Sequence, residues 1–358
     1  MSPASPATVT GRPRFSVAIL AVLSLIAACS SGGGVTPSNA CGSRAVTAGC
    51  GTSPSAGTAL ASAGGTITLY TSVTQNTVDA VVNGFTDAHP GVNVEVFRAP
   101  TAEVAARIAT DIAAGGLKAD VLWLTDPLSI APYADQKLLQ SWSPPNAAAI
   151  DAAYRTDTFF GTRLLNMVLI RGASVTPGPA DWKDLLSADY KGAVALPDPG
   201  FAGSAFAALG YFSQTDGYGI AFYQSLKANG ATQVKAPDDV TSGVATGQFK
   251  VGMTLDNSAR TAVKKGSPIA LVWPSSGAIA IYSPIAAVGA STNLTTADAF
   301  VDYSLSTDGQ ALIAGTGWQP IVGSAGPKPE GSQVSPDWAA ASGKQKDLLA
   351  AYRAIFGG

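Results

Sequence analysis

The chain has 358 residues, 24 acidic and 22 basic side chains, a net charge of −2 and only 13% charged residues. No basic run or stripe stands out, which excludes nucleic acid as a partner, because phosphate backbones are held by clustered Lys and Arg. One histidine and three cysteines leave no metal-ligating pattern of those residues, so no metal or cofactor is expected.

The chain starts with Arg12 and Arg14, followed by the uncharged apolar run Phe15–Ala28. That order predicts a secretory signal over residues 1–28, too short to span a bilayer. Ile26-Ala-Ala-Cys29 resembles the lipobox of bacterial lipoproteins, which implies acylation of Cys29 and attachment to the outer face of the cytoplasmic membrane. Residues 29–65 are dense in Gly, Ser, Thr, Ala and Pro and read as a flexible tether. Cys41 and Cys50 lie within it, and in an oxidising compartment the two could close a local disulfide.

From Thr66 the pattern alternates strand and helix. Thr66–Thr71 is β-rich; Val78, Val81, Val82 and Phe85 share one helical face; His89-Pro90-Gly91 stops that helix. Val92, Val94 and Val96 alternate as a strand, and Val104, Ala105, Ile108 and Ile112 form a second stripe ending at Gly115-Gly116. Val121–Thr125 is a continuous apolar strand. The βαβαβ order predicts a parallel sheet covered by helices, with ligand beyond the carboxyl ends of its strands. Thr71, Ser72, Thr125 and Asp126 occupy those ends, although Asp126-Pro127 equally suits a helix cap with proline at the first helical position.

The second half is less regular. Phe159–Ile170 reads as two short strands around a polar break at Arg163, Asp181–Leu186 as a helix start, and Gly192–Leu196 as a strand. That strand runs into a loop whose Gly203-Ser204 offers free N–H groups to an anion, or simply turns the chain into the helix through Ala205–Tyr211. Val240–Gln248 is predicted helical, and strand Val251–Leu255 delivers Asp256 and Asn257 to another strand end.

The ordered strings Leu69-Tyr-Thr-Ser72, His89-Pro-Gly-Val-Asn-Val94, Ala119-Asp-Val-Leu-Trp123, Asp181-Trp-Lys-Asp-Leu-Leu186, Lys191-Gly-Ala-Val194, Lys265-Gly-Ser-Pro268, Ser283-Pro-Ile-Ala-Ala-Val288 and Ser306-Thr-Asp-Gly-Gln310 carry a family likeness. They resemble the extracytoplasmic solute-binding proteins of ABC importers, in the group that includes ferric-ion, 2-aminoethylphosphonate and hexose-phosphate binders. The resemblance implies a two-lobed α/β fold of the periplasmic-binding-protein type II kind. Residues 66–160 would form one lobe, 161–280 the second, and 281–358 a return to the first lobe with C-terminal helices that pack on it or brace the hinge. The crossings would fall near Thr158–Leu165 and Ile279–Ala286. Solute would sit in the interlobe cleft of a monomer, closure would be a hinge motion, and ABC permease subunits would read the closed state.

The resemblance also bears on the solute. Arg163 stands where relatives carry an anion-holding arginine, though a hinge ion pair would use the same side chain. Asp256-Asn257 stands where ferric relatives have adjacent tyrosines, which lowers the expectation of iron. Tyr282, Tyr211, Tyr218 or Tyr223 could serve another iron mode or line the core. With Asp126 and Asp256 available for an amine, the expected solute is a small anion or zwitterion, a phosphonate or phosphorylated metabolite. Ferric ion is the alternative within the family. The alternative from another class, an exported hydrolase, lacks a Gly-x-Ser-x-Gly elbow, and its one histidine, His89, precedes a helix-ending Pro90. No catalysis is expected.

Overall fold

The computed structural model describes residues 63–357; the predicted signal segment, Cys29, Cys41 and Cys50 lie outside the described residues. The chain begins β1 (Gly65–Thr71), α1 (Gln75–Ala88), β2 (Val92–Arg98), α2 (Thr101–Ala113), β3 (Val121–Trp123) and α3 (Pro127–Asp135). β1 lies between β2 and β3 and is parallel to both, the arrangement that helical crossovers impose. α1 forms because Val78, Val81 and Phe85 share one face; all three are fully buried, at roughly 1.5–3 kcal/mol each. It stops at His89, and Gly91 follows with φ of 96°, a conformation that side chains disfavour. β2 is the outer strand, and its alternating valines become progressively exposed, reaching 38% at Val96.

β4 (Phe160–Gly172) corrects the expectation of two short strands: it is one strand of 13 residues. The polar break at Thr162-Arg163 is an irregularity in its pairing with β9 (Ala278–Ala287), between Gly161 and Leu164. A residue added to one side of a ladder turns local side chains without ending the strand, which is why the break looked like a terminus. Both faces of this strand are covered through Ile170.

Next come β5 (Val194–Pro197), α4 (Gly203–Gln214), α5 (Gly219–Ala228), β6 (Thr232–Val234), α6 (Pro237–Ala245), β7 (Val251–Leu255), α7 (Asp256–Lys264) and β8 (Ile269–Val272). Asp181-Trp182 starts only a short 3-10 helix, Trp182–Leu186. The strand order is β2-β1-β3-β9-β4-β7-β5-β6, so the antiparallel pair β4 and β9 joins one parallel group to the other. After β9 the chain forms α8 (Leu294–Leu305) and α9 (Thr307–Gly315), which pack against α1. β10 (Gln319–Pro320) pairs with β4, and β11 (Gln333–Val334) pairs with β9. α10 (Trp338–Ser342) touches both α3 and α4. The last helix, α11 (Gln345–Phe356), lies on α4 and α5, and its Gln345 amide reaches the Leu128 carbonyl at the start of α3.

Candidate functional site

A cavity of about 320 Å³ opens where the carboxyl ends of both parallel strand groups meet. Ser72, Arg98 and Thr125 line it just beyond or at the ends of β1, β2 and β3; Phe201, Ala236 and Leu255 do so from β5, β6 and β7. Helices begin there too. The N-cap residues of α1, α2, α4, α6 and α7, namely Thr74, Pro100, Ala202, Ala236 and Leu255, all line the cavity, and none of the five makes a side-chain cap hydrogen bond. Each helix therefore points the positive end of its dipole toward one space, although at α7 the Asn257 N–H is already taken by Asp256 Oδ1 and α6 opens with Pro237, which has no N–H.

Arg163 forms the floor. The β4 irregularity turns it beneath the cavity, where it is 1% exposed. Its Nε donates to Ser283 Oγ at 3.1 Å, its Nη1 donates to Thr74 Oγ1 at 3.2 Å and Thr77 Oγ1 at 3.4 Å, and its guanidinium lies 4.3 Å over the Trp318 ring. Among the described residues it has no carboxylate within ion-pair reach; Arg107–Asp111 and Arg260–Asp256 are the pairs observed. Burial, and next the nearby charge of Arg98, lower its pKa to about 9, so it remains a cation at neutral pH. A buried, unpaired guanidinium is costly in isolation and attractive to an anion.

Of the ten residues marked in the sequence, six line this cavity: Ser72, Thr125, Arg163, Gly203, Ser204 and Asn257. Ser72 and Thr125 clasp each other, the Thr125 N–H donating to Ser72 Oγ at 3.0 Å and Thr125 Oγ1 to the Ser72 carbonyl at 3.0 Å. Asn257 donates to the Gly317 carbonyl at 2.7 Å.

The other four lie elsewhere. Thr71 is fully buried and donates to the Trp123 carbonyl at 2.7 Å, bracing two strands. Asp256 is held by Arg260, the Asn257 N–H at 2.9 Å and Asn166 Nδ2 at 3.2 Å, so it is internally satisfied. Tyr282 is buried against the rings of Tyr154 and Trp338, where burial, and next Asp126, raise its pKa. Asp126 caps α3, accepting from the Ser129 N–H at 2.9 Å and Ser129 Oγ at 2.6 Å. It is wholly buried, and that burial, partly offset by Ser129, pushes its pKa up to about 7. Gly203 packs on it so closely that a Cβ there would lie 2.2 Å from Asp126 Oδ2 and 2.8 Å from Thr101 Oγ1.

Arg98, Thr74, Thr101, Phe201, Asp238, Ser258 and Trp318 line the cavity and were not marked from sequence. Arg98 ends β2, so the strand-end rule that marked Thr125 would have found it. Trp318 follows α9, far along the chain, and carries no local signal. Tyr211, Tyr218 and Tyr223 instead join the ring cluster around Phe212 and Phe222, and among the described residues no tyrosine lines the cavity.

Comparison with known proteins follows the same outline. The chain resembles AfuA from Actinobacillus pleuropneumoniae, a periplasmic binding protein solved with fructose-6-phosphate, at 18% identity and a TM-score of 0.73, covering 81% of this chain and 98% of that one. It resembles iron-bound HitA from Pseudomonas aeruginosa at 20% identity and a TM-score of 0.72, covering 81% and 99%. These matches establish the two-lobed periplasmic-binding-protein fold. An uncharacterised Haemophilus influenzae protein is 31% identical over 136 residues, 37% of this chain, and the chain spans about two fifths (39%) of that relative's length. The model of the family described as bacterial extracellular solute-binding protein matches residues 67–319, most of the chain, and the protein therefore belongs to the bacterial extracellular solute-binding proteins.

Proposed function

We propose that the protein is the receptor of an ABC importer and captures a small organic solute through a phosphonate or phosphate head, by closure of its lobes and without catalysis. The observation that carries this reading is Arg163, a buried guanidinium with no carboxylate partner among the described residues, facing a cavity ringed by five helix N-termini. An anionic head would take hydrogen bonds from the free Nη2 of the guanidinium and from N–H groups at the helix starts. Ferric ion fits less well: it needs several hard anionic oxygens, and among the described residues the only acid lining the cavity is Asp238, with no tyrosine beside it. The 320 Å³ volume is also about ten times the ~30 Å³ share of one water, which suits a head with an organic substituent better than a bare ion.

Isothermal titration of an alkylphosphonate and of ferric citrate decides between them. The alkylphosphonate should bind wild type, and Arg163→Ala should weaken it by about 1.5–3 kcal/mol, the range for hydrogen bonds to charged groups. Ferric binding that ignores the arginine change, with no phosphonate binding, would mean that iron is the cargo. We further propose that the mature chain is tethered through an acylated Cys29. Cys29→Ser should move the protein from the membrane fraction to the medium or leave it unprocessed, and unchanged fractionation counts against the tether.

A further inference from the structure

Among the described residues, the Arg163 guanidinium is bonded along one edge: Nε donates to Ser283 Oγ, and Nη1 to the Thr74 and Thr77 hydroxyls. Those contacts leave its plane free to tilt about that edge, and the surface that fixes the tilt is the Trp318 ring, 4.3 Å away. Trp318 is 3% exposed and sits between two anchors. After it, Gln319 pairs with Leu164 across β10 and β4. Before it, the chain leaves α9 through Gly317, whose φ of 89° is a left-handed conformation that suits glycine. The Gly317 carbonyl accepts two hydrogen bonds from the start of α7, from Asn257 Nδ2 at 2.7 Å and from Arg260 Nη2 at 3.1 Å. The turn fits closely there, since a Cβ on Gly317 would lie 2.7 Å from Asn257 Nδ2. The other end of the Arg260 fork, Nη1, holds Asp256. Arg260 itself does not line the cavity, so it can act on a ligand only through other residues.

We propose that Arg260 is a positioning residue for the anion site: its hold on the Gly317 carbonyl seats the Trp318 ring against Arg163, and so keeps the free Nη2 of that guanidinium aimed into the cavity. The inference rests on the anion reading above. A hydrogen bond weakens steeply as its angle closes, so a tilted guanidinium loses affinity for an anion although no contact residue has been removed. The shape of the side chain explains why an arginine stands here. A guanidinium offers separate nitrogens to the Asp256 carboxylate and to the Gly317 carbonyl, whereas the single ammonium of a lysine keeps the ion pair and gives up the fixed second bond. Arg260→Lys therefore loosens the Gly317 turn while leaving the buried Asp256 with a cation.

The test is a double-mutant cycle, read by titration calorimetry of propylphosphonate into wild type, Arg260→Lys, Trp318→Leu and the double variant, each shown to be folded by its melting transition. Arg260→Lys should weaken binding by about three- to tenfold, and Trp318→Leu by at least as much. The double variant should bind within about twofold of Trp318→Leu, because without the ring Arg260 has nothing left to position. Trp318→Phe, which keeps an aromatic face and the fold, should recover most of the affinity that Trp318→Leu loses. Wild-type affinity in Arg260→Lys would confine that arginine to its ion pair with Asp256. A loss repeated in full in the Trp318→Leu background would show an effect that bypasses the ring, and a phenylalanine no better than leucine would show that the aromatic face plays no part. Each of these three results overturns the inference and leaves the anion reading standing. Failure of wild type to bind propylphosphonate overturns the anion reading and this inference with it.

Discussion

Two buried charges in this chain end in opposite situations. Arg163, at the β4 irregularity, is 1% exposed but faces the cavity, and its remaining hydrogen-bonding capacity is turned toward the space where ligand would enter. Asp126, at the head of α3, is 0% exposed, bonded to Ser129 on its own helix and packed under Gly203 across the contact with α4. Both lack an oppositely charged partner among the described residues. An unpaired charge beside a cavity can wait for a counter-ion from outside; an enclosed one can only change its protonation. The arginine keeps its proton at neutral pH, whereas the carboxylate is placed to titrate near pH 7.

The largest expected effect separates the two regions by pH. The ordinary Asp pKa of 3.8 is raised to about 7 in the fold, so the native state holds this proton more tightly than the unfolded chain. The contribution of Asp126 to stability is then fully present below about pH 4, falls as pH rises, and is lost once pH passes about 7. At about 1.4 kcal/mol per pKa unit the loss is on the order of 4 kcal/mol. Asp126→Asn keeps a capping acceptor for α3 and removes the titration, so its denaturant-unfolding free energy should lack that decline between pH 4 and 8. Parallel pH curves for the variant and wild type would place Asp126 in contact with water and dissolve the contrast with Arg163.

A smaller effect sharpens the contrast from the other side of the same contact. Gly203 closes over Asp126 because it has no Cβ; a methyl there must displace the carboxylate or Thr101. Gly203→Ala should destabilise the protein by about 1–3 kcal/mol, the usual cost of overpacking, and should loosen the α3–α4 contact. In thermal melts with and without alkylphosphonate, the variant should melt lower and gain less from ligand than wild type. A variant that melts like wild type and gains as much would show that this contact plays no part in closure.

Much of the architecture was legible in local patterns. The stripe Val78, Val81, Phe85, the stop at His89-Pro90-Gly91 and the apolar run at Val121 produced α1, its end and β3 where the periodicity put them, because burial of one face dictates the period. The strand-end rule likewise led to Ser72 and Thr125, whereas Arg163 was marked through the family resemblance rather than a local pattern. Failures came where one local signal admits two outcomes. An acid after a strand can cap, pair or face solvent, and Asp126 caps, Asp256 pairs and, among the described residues, only the unmarked Asp238 lines the cavity.

Residue pattern alone therefore determined the alternation of strands and helices, their parallel pairing near the start of the chain, and the strand ends at which a site could form, since these follow from hydrophobic period and capping within some fifteen residues. The tertiary structure decided which charges lack partners. Arg163 is defined by Thr74, Thr77, Ser283 and Trp318, residues from 89 positions before it to 155 after it, and no local rule reaches that far. Whether a buried charge is satisfied depends on everything that packs around it, and that is settled only when the chain closes on itself.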